Sequence, residues 1–318
     1  MGKYEIHYGD SLEILSKVET DRFNCCVTSP PYWGLRDYGH QGQLGMEPTP
    51  ELYVDRLVSI FREVKRSLRP DGTLWLNLGD SYSGSGQTGG LDVKGLLAYA
   101  YGTRDPAKIQ APRRKTPKNL KPKNLVGIPW RVAFALQDDG WFLRSDIIWH
   151  KPNPMPESVT DRPTKAHEYV FLLSKSPRYY YDAAAIKTKC VSTSTRAMGI
   201  GPKALDGDRF GQSGNSRNKP RRPSLGRNKR SVWTVPTAPY HGAHFAVFPP
   251  SLIRPCILAG SPRGGEVLDP FLGSGTTARV SIDEGRRCFG VELNDEYRPL
   301  IEERLSQSVL WSCEGVAR

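Results

Sequence analysis

The chain alternates between short apolar runs and longer segments in which apolar residues recur every three or four positions. The first pattern predicts strands and the second predicts amphipathic helices. The predicted strands span 4–8, 22–27, 73–78, 142–149, 168–174, 266–269 and 287–292. The predicted helices span 11–18, 50–68, 128–138, 247–259, 276–284 and 295–306. Such alternation predicts an α/β fold with a doubly wound, mostly parallel sheet.

A stiff turn with the sequence Thr-Ser-Pro-Pro-Tyr-Trp, residues 28–33, follows the strand predicted at 22–27. Loops at the carboxyl ends of parallel strands are where open α/β sheets bind their ligands. Because prolines fix φ and lack an amide donor, this turn offers the Pro30 carbonyl, the Ser29 hydroxyl and the Tyr32 ring. These groups can accept the hydrogens of an amine on a flat ring and stack on that ring. A proline-rich turn around a buried Tyr–Trp pair is the structural alternative.

A second turn, rich in glycine, lies between the strand predicted at 266–269 and the helix predicted at 276–284. Gly273 and Gly275 allow the backbone to pass close to a ligand, and Thr276 opens the helix. Glu292 ends the next strand at about the spacing, roughly 20 residues, at which a carboxylate binds ribose hydroxyls in nucleotide-binding folds. This pattern alone would also suit a nicotinamide dehydrogenase, but that interpretation leaves the proline-rich turn unexplained.

Taken in this order, Ser-Pro-Pro-Tyr and Asp-Pro-Phe-Leu-Gly-Ser-Gly-Thr-Thr (269–277) resemble motifs of the S-adenosylmethionine-dependent DNA amino-methyltransferases, β group, where the catalytic motif precedes the cofactor motif. The segments 9–11, 149–154 and 244–258 are also similar to segments of that family. The resemblance implies a Rossmann-like seven-stranded sheet with one antiparallel strand, into which the basic segments described below would be loop insertions. It also implies methyl transfer from S-adenosylmethionine to the exocyclic amine of a base flipped out of double-stranded DNA.

The resemblance further implies roles for individual residues. The catalytic candidates are Ser29, Pro30, Pro31 and Tyr32. The cofactor-binding candidates are Asp10, Thr28, Asp269, Phe271, Gly273, Gly275, Thr276, Glu292 and Asn294. Trp33, Trp149 and His150 are candidate pocket walls for which core packing is the favoured interpretation. Ser29 favours cytosine N4 as the methylated atom, since adenine-N6 members usually have Asp or Asn at that position; adenine N6 stays the alternative.

Positive charge is concentrated in two segments that are rich in Gly, Pro and Ser. The whole chain has a formal net charge of +12, which favours a polyanionic partner. Residues 104–123 and 187–230 are strongly basic, so the rest of the chain is slightly acidic. Solvated disordered loops are the alternative interpretation. The candidate DNA-binding residues are Arg113, Arg114, Lys115, Arg217, Lys219, Arg221, Arg222, Arg227, Lys229 and Arg230.

These observations predict how the chain is organised. Residues 1–186 form the catalytic half of one methyltransferase domain, with a mobile basic insertion at about 81–125. Residues 187–235 form a target-recognition insertion, and 236–318 form the cofactor-binding half. The family also allows a cognate restriction endonuclease as a partner, while the recognition sequence and the oligomeric state stay open. A DNA-binding protein without activity is a further alternative, which the intact motifs disfavour.

The cysteine spacing and the hydropathy of the chain bear on metal binding and on where the protein is located in the cell. The six cysteines have no Cys-x-x-Cys spacing, so no metal site is expected. Cys25, Cys26 and Cys288 lie in apolar runs and are expected to be reduced core residues. No apolar run approaches the roughly 18 residues of a transmembrane helix, and the amino-terminal residues lack a signal-peptide core. A cytoplasmic protein without a membrane partner is therefore expected.

Overall fold

The computed structural model describes residues 2–35, 40, 42–84, 120–188, 226–237 and 248–306. The strands are β1 (Tyr4–Tyr8), β2 (Phe23–Thr28), β3 (Leu68–Leu78), β4 (Phe142–His150), β5 (His167–Ser174), β6 (Val232–Thr234), β7 (Glu266–Asp269) and β8 (Arg287–Glu292). The helices are α1 (Ser11–Leu15), α2 (Pro50–Ser67), α3 (Ile128–Asp138), α4 (Pro250–Gly260), α5 (Thr276–Asp283) and α6 (Arg298–Ser306).

These strands form one sheet of eight, in the order β1-β8-β7-β2-β3-β5-β4-β6. Every neighbouring pair is parallel except those of β5, which is antiparallel to both β3 and β4. The predicted α/β class, the doubly wound architecture and the single antiparallel strand are confirmed. The sheet has eight strands and not the expected seven, because β6 joins its edge beside β4. Strand β6 has only three residues, and of these only Trp233 is buried. It is therefore too short to show a strand pattern in the sequence.

Several element boundaries differ from those predicted. Helix α2 ends at Ser67, and strand β3 begins at Leu68 instead of at residue 73. The helix cannot continue far beyond Ser67, because Pro70 disfavours a helical conformation in Arg69. The last predicted helix is divided into a 3-10 turn, Asp295–Tyr297, and α6. The Asn294 side chain caps that turn by accepting a hydrogen bond from the Glu296 amide at 2.9 Å. Helix α1 ends at Leu15, three residues before the predicted end at Val18.

Helices cover both faces of the sheet. On one face, α1, α2 and α3 bury a core that includes Leu15, Phe61 and Leu136. On the other face, α4 and α5 bury a second core that includes Leu252 and Val280. Such burial of apolar surface on both faces is what allows the central strands to be apolar throughout.

The cysteines that the structure describes agree with the predicted core role. Cys25, Cys26, Cys256 and Cys288 are free thiols and all are buried. Burial raises the pKa of Cys25 to about 12, so this thiol stays protonated at neutral pH. Among the described helices, none combines the length and the apolarity that crossing a bilayer requires.

The two central strands β2 and β7 lie at the point where the chain reverses its direction across the sheet. From β2 the chain passes through α2 to β3 on one side, and from β7 it passes through α5 to β8 on the other. Loops that diverge in this way open a crevice at the carboxyl edge of the sheet. The proline-rich turn and the glycine-rich turn, which are far apart in the sequence, therefore face one another.

A short two-stranded stem lies at the base of each predicted basic insertion. An antiparallel bridge joins Tyr82 to Leu125, and the Ser83 amide donates to the Asn124 carbonyl at 2.8 Å. A second bridge joins Thr188 to Arg227, with backbone hydrogen bonds of 3.0 and 2.9 Å. Residues 85–119 and 189–225 lie outside the described residues. The stems show that each segment starts and ends at one place on the domain.

Candidate active site

A cavity of about 720 Å³ opens at the carboxyl edge of the sheet, between the two turns. One part of its wall comes from the glycine-rich turn and the end of β8. The opposite part comes from the proline-rich turn, from Asn77 near the end of β3, from the end of β4 and from the start of β5. A cavity of this size can hold both a nucleoside-sized cofactor and a flat ring.

Thr28 and Asp269 join the two turns beneath the cavity. The Thr28 hydroxyl donates to Asp269 Oδ1 at 2.6 Å, and both side chains are fully buried. The amide of Phe271 donates to the same carboxylate oxygen at 3.1 Å. Burial raises the pKa of Asp269 to about 6, against the hydrogen bonds that stabilise its charged form. This pair fixes the separation of the two turns.

Glu292 presents a carboxylate at the end of β8, on the cavity wall. Its two oxygens accept hydrogen bonds from the amides of Gly273 at 2.7 Å and Asn294 at 2.9 Å. Burial raises the pKa of Glu292, and these amides oppose the rise. Asp10 lines the same cavity and caps α1 through Oδ1, which accepts from the amides of Leu12 and Glu13. The arrangement suits the hydroxyls of a ribose, each carboxylate retaining further lone pairs as acceptors.

The nine cofactor candidates divide into wall residues and supporting residues. Those on the cavity wall are Asp10, Phe271, Gly273, Glu292 and Asn294. The supporting residues are Thr28, Asp269, Gly275 and Thr276. Gly275 has a φ of 82° and lies against Ile301 of α6, while the Thr276 hydroxyl accepts a hydrogen bond from Arg304. Gly275 is thus needed for the left-handed turn that starts α5.

Ser29 and Tyr32 form a hydrogen-bonded chain that ends at Glu168. The Ser29 hydroxyl donates to the Tyr32 oxygen at 3.3 Å, and the Tyr32 hydroxyl donates to Glu168 Oε2 at 2.8 Å. The Tyr32 ring packs on the backbone of Gly79, where a Cβ would lie only 2.5 Å from the ring. Burial and the nearby Glu168 charge raise the pKa of Tyr32 well above its usual value, so the phenol stays protonated.

The proline pair supports this chain from the other side. The carbonyl of Pro31 accepts a hydrogen bond from the Tyr53 hydroxyl at 2.8 Å, which ties the turn to α2. All four catalytic candidates, Ser29, Pro30, Pro31 and Tyr32, line the cavity.

Glu168 and Asn77 are site residues that the sequence did not single out. Asn77 donates to Glu168 Oε2 at 3.2 Å and to the Tyr169 carbonyl at 3.0 Å. Lys151 pairs with the second oxygen of Glu168 and lies 4.3 Å from the centre of the Trp149 ring. In the sequence, Glu168 could be noticed only as an acidic residue at the start of a predicted strand. It faces the site because β5 is antiparallel, which the spacing of residues could not reveal.

The three aromatic candidates have different environments. Trp33 is buried in the core and donates to the Glu47 carbonyl at 3.0 Å. Trp149 is buried, yet it also contributes to the cavity wall. His150 is exposed and contacts the Thr234 hydroxyl, so core packing was the wrong interpretation for it. The last position of β4 points away from the interior because side chains alternate along a strand.

Three of the ten DNA-binding candidates lie within the described residues, at the stem and approach to β6. Arg227 contacts the Thr188 hydroxyl at 3.3 Å. Lys229 lies 4.7 Å from the centre of the Trp233 ring, and burial lowers its pKa. The Arg230 carbonyl accepts from the Trp233 indole at 2.6 Å. The candidates outside the described residues are Arg113, Arg114, Lys115, Arg217, Lys219, Arg221 and Arg222.

Comparison with known proteins identifies the class to which this fold and cavity belong. A family model described as DNA methylase, N6_N4_Mtase, matches residues 23–303. The chain therefore belongs to the family of N4/N6 DNA amino-methyltransferases, and the dehydrogenase alternative is wrong. Its cofactor is S-adenosylmethionine, as the resemblance implied.

Individual relatives are similar over nearly the full chain. Type II methyltransferase M.SmaI of Serratia marcescens is 47% identical over 301 residues, which cover 95% of this chain and 90% of the relative. Type II methyltransferase M.Cfr9I of Citrobacter freundii is 48% identical over 297 residues, which cover 93% and 86%.

Solved structures share the fold. PvuII DNA methyltransferase (cytosine-N4-specific) aligns with a TM-score of 0.63 at 19% identity, covering 96% of this chain and 86% of that one. A putative DNA modification methylase from Thermus thermophilus, complexed with S-adenosyl-L-methionine, aligns with a TM-score of 0.56 at 24% identity, covering 95% and 94%.

Replacing Asp269 with Asn tests the buried carboxyl beneath the site. Because burial raises its pKa to about 6, the folded state binds the proton more tightly than the unfolded state does. The stabilisation from this group is complete below about pH 4 and is lost as the pH rises through 6. Asp269→Asn lacks this titration. Between pH 4 and 7.5 we expect wild type to lose about 2–3 kcal/mol of unfolding free energy relative to the variant.

Urea unfolding of both proteins at closely spaced pH values measures that difference. Curves of unfolding free energy against pH that run parallel for wild type and variant would contradict the expectation.

Proposed function

We propose that this DNA methyltransferase methylates the N4 amine of cytosine in double-stranded DNA. The observation that carries the proposal is the hydroxyl of Ser29 on the cavity wall. Because this hydroxyl donates its own proton to Tyr32, it presents lone pairs to the cavity. It is therefore a neutral acceptor for one amine hydrogen, and the Pro30 carbonyl is the acceptor for the other.

The chain of hydrogen bonds strengthens Ser29 as an acceptor. Glu168 accepts from Tyr32, and Tyr32 accepts from Ser29, so each bond polarises the next. Two acceptors on the amine hydrogens favour a pyramidal nitrogen whose lone pair is free to react. The residues thus hold the amine in place and orient it, and no covalent bond to the enzyme is needed. S-adenosylmethionine supplies the methyl group when it is bound.

Two further features support the choice of cytosine over adenine. Adenine-N6 members of the family usually have Asp or Asn where this chain has Ser29. PvuII DNA methyltransferase, whose name gives cytosine N4 as its target, shares the fold. Adenine N6 is the second candidate, because the same turn and cofactor serve both reactions.

The identity of the product tests the proposal directly. The purified protein is incubated with plasmid DNA and S-adenosylmethionine, and the DNA is digested to nucleosides for mass spectrometry. We expect N4-methylcytosine, and sequencing of the modified DNA then maps the recognition site. Methyladenine as the sole product would reject the assignment to cytosine.

Ser29→Ala, which removes one amine acceptor, is expected to lower turnover without lowering affinity for DNA.

Variants of Tyr32 separate the role of its ring from that of its hydroxyl. We propose that the ring stacks on the flipped base, which is worth about 1–3 kcal/mol. Tyr32→Ala is expected to lower kcat by about tenfold to a hundredfold, because the flipped state becomes a smaller fraction of the complex. Tyr32→Phe keeps the ring and is expected to lose much less.

Single-turnover rates at saturating DNA and cofactor measure this difference, and duplex affinity serves as the control. Equal losses in the two variants would assign the role to the Ser29–Tyr32–Glu168 chain instead. A large loss of duplex affinity would contradict a role in the chemical step.

We further propose that residues 187–235 contain the target-recognition region, between the catalytic half 1–186 and the cofactor-binding half 236–318. Two contacts support this division. The Thr188–Arg227 bridge closes the segment into one insertion. Strand β6 then joins the sheet beside β4, whose end carries Trp149 on the cavity wall. The type II relatives also suggest a partner restriction endonuclease.

Neutralising Lys219, Arg221 and Arg222 together tests the recognition region. If each contacts a phosphate, we expect the slope of log affinity against log salt to flatten by about two to three units, at roughly 0.9 per contact. Filter binding over a range of salt concentrations measures the slope.

A matched control removes three exposed charges at the opposite, amino edge of the sheet. These are Lys3, Lys17 and Arg69. The control triple variant should leave the slope almost unchanged. Equal flattening by both triple variants would show only general polyanion attraction, and cofactor affinity should be the same in all three proteins.

A further inference from the structure

The loop between β4 and β5 forms one rim of the cavity and has an apolar tip. Met155 lies at this tip, on the cavity wall, and is 76% exposed. It is the most exposed large apolar side chain in the described part of the chain. Burying such a side chain is worth about 1.5–3 kcal/mol. An apolar surface that covers Met155 would therefore bind favourably.

The tip is stiff even though it is exposed. Pro154 and Pro156 flank Met155 and fix two φ angles. The Asn153 side chain holds the base of the tip, because it accepts from the Thr237 amide at 3.0 Å and donates to the Thr237 carbonyl at 3.2 Å. A rigid support means that little conformational entropy is lost when the tip inserts into a partner.

The far side of the loop is braced as well. Arg162 pairs with Glu157 at 2.5 Å, and its guanidinium lies 3.9 Å from the centre of the Tyr82 ring. Tyr82 belongs to the stem of the basic insertion 85–119. The loop is thus fixed at two places, to Thr237 through Asn153 and to Tyr82 through Arg162.

The chemistry of the tip differs from that of its surroundings. Residues 152–156, Pro-Asn-Pro-Met-Pro, carry no charge in a chain whose net charge is +12. Phosphates are bound by Lys and Arg, so an uncharged apolar tip suits the stacked bases inside the duplex instead. An unbranched, polarizable thioether matches the flat faces of bases, and Met is among the side chains that wedge between base steps.

We propose that Met155 enters the DNA helix and fills the space left by the target base when that base occupies the cavity. The proposal rests on methylation of a flipped base and holds for either target base. Met155 both lines the cavity and is exposed to solvent, so a base that enters the cavity from the helix leaves its gap beside this side chain. By contacting the neighbouring bases, it stabilises the flipped state and acts as a positioning residue.

Two variants and two duplexes test the proposal. Met155→Ala removes the wedge and Met155→Leu keeps a bulky apolar side chain. Both duplexes carry the recognition site mapped by sequencing; one is fully paired, and the other has an abasic position opposite the target base. Flipping from a paired duplex costs a few kcal/mol, and least where the base is unpaired. On the paired duplex we expect Met155→Ala to lower kcat/KM by about tenfold or more, since tenfold corresponds to 1.4 kcal/mol.

On the abasic duplex the same variant is expected to lose less than about threefold, because flipping there needs little help. Met155→Leu should stay within about threefold of wild type on both duplexes, since it can still fill the gap. Leu52→Ala is the matched control, because Leu52 is 50% exposed on α2 and is not among the cavity-wall residues. It should behave as wild type. Affinity for S-adenosylmethionine, measured by calorimetry, should be equal in all variants.

The outcomes are distinct. An equal loss on both duplexes would make Met155 a wall of the base pocket and overturn the wedge, as would the absence of any loss. If the wild-type protein transferred no methyl group to either duplex, the proposed function and the wedge would both be overturned. Methyladenine as product would reject the cytosine assignment alone.

Discussion

The site depends on one buried hydrogen bond, from the Thr28 hydroxyl to Asp269 at 2.6 Å. Strands β2 and β7 are parallel neighbours, so their carboxyl ends emerge side by side. The loop from one strand carries the proline-rich turn and the loop from the other carries the glycine-rich turn. The bond keeps them at a fixed separation under the cavity. This hydrogen bond requires a carboxyl group to be buried, and the burial raises the pKa of Asp269 to about 6.

The antiparallel strand β5 completes the cavity wall beside the proline-rich turn. In a parallel strand, an amino-terminal residue would lie at the far edge of the sheet, away from ligands. Because β5 runs in the opposite direction, Glu168 meets Tyr32 and Asn77 at the carboxyl edge. Lys151 balances the charge of Glu168 within the same wall. The orientation of the Ser29 hydroxyl therefore depends on the direction of β5, although Ser29 itself follows β2.

Charge and apolar surface are separated along this chain. In the sequence, the excess positive charge lies in the segments 104–123 and 187–230, and the remaining chain is slightly acidic. The rim of the cavity is formed in part by the uncharged tip at 152–156. This separation suits a partner with a charged exterior and an apolar, stacked interior, which is the character of duplex DNA.

The sequence by itself determined the class of fold, most element positions and the two motif turns, because periodicity and turn residues are local properties. It also determined the family and the cofactor, because the motifs are contiguous. Only the tertiary structure decided that Gly275 supports α5 while Gly273 lines the cavity, that β6 extends the sheet, and that Glu168 and Asn77 join Tyr32. Those facts depend on strand order and direction, which arise from contacts between residues far apart in the chain.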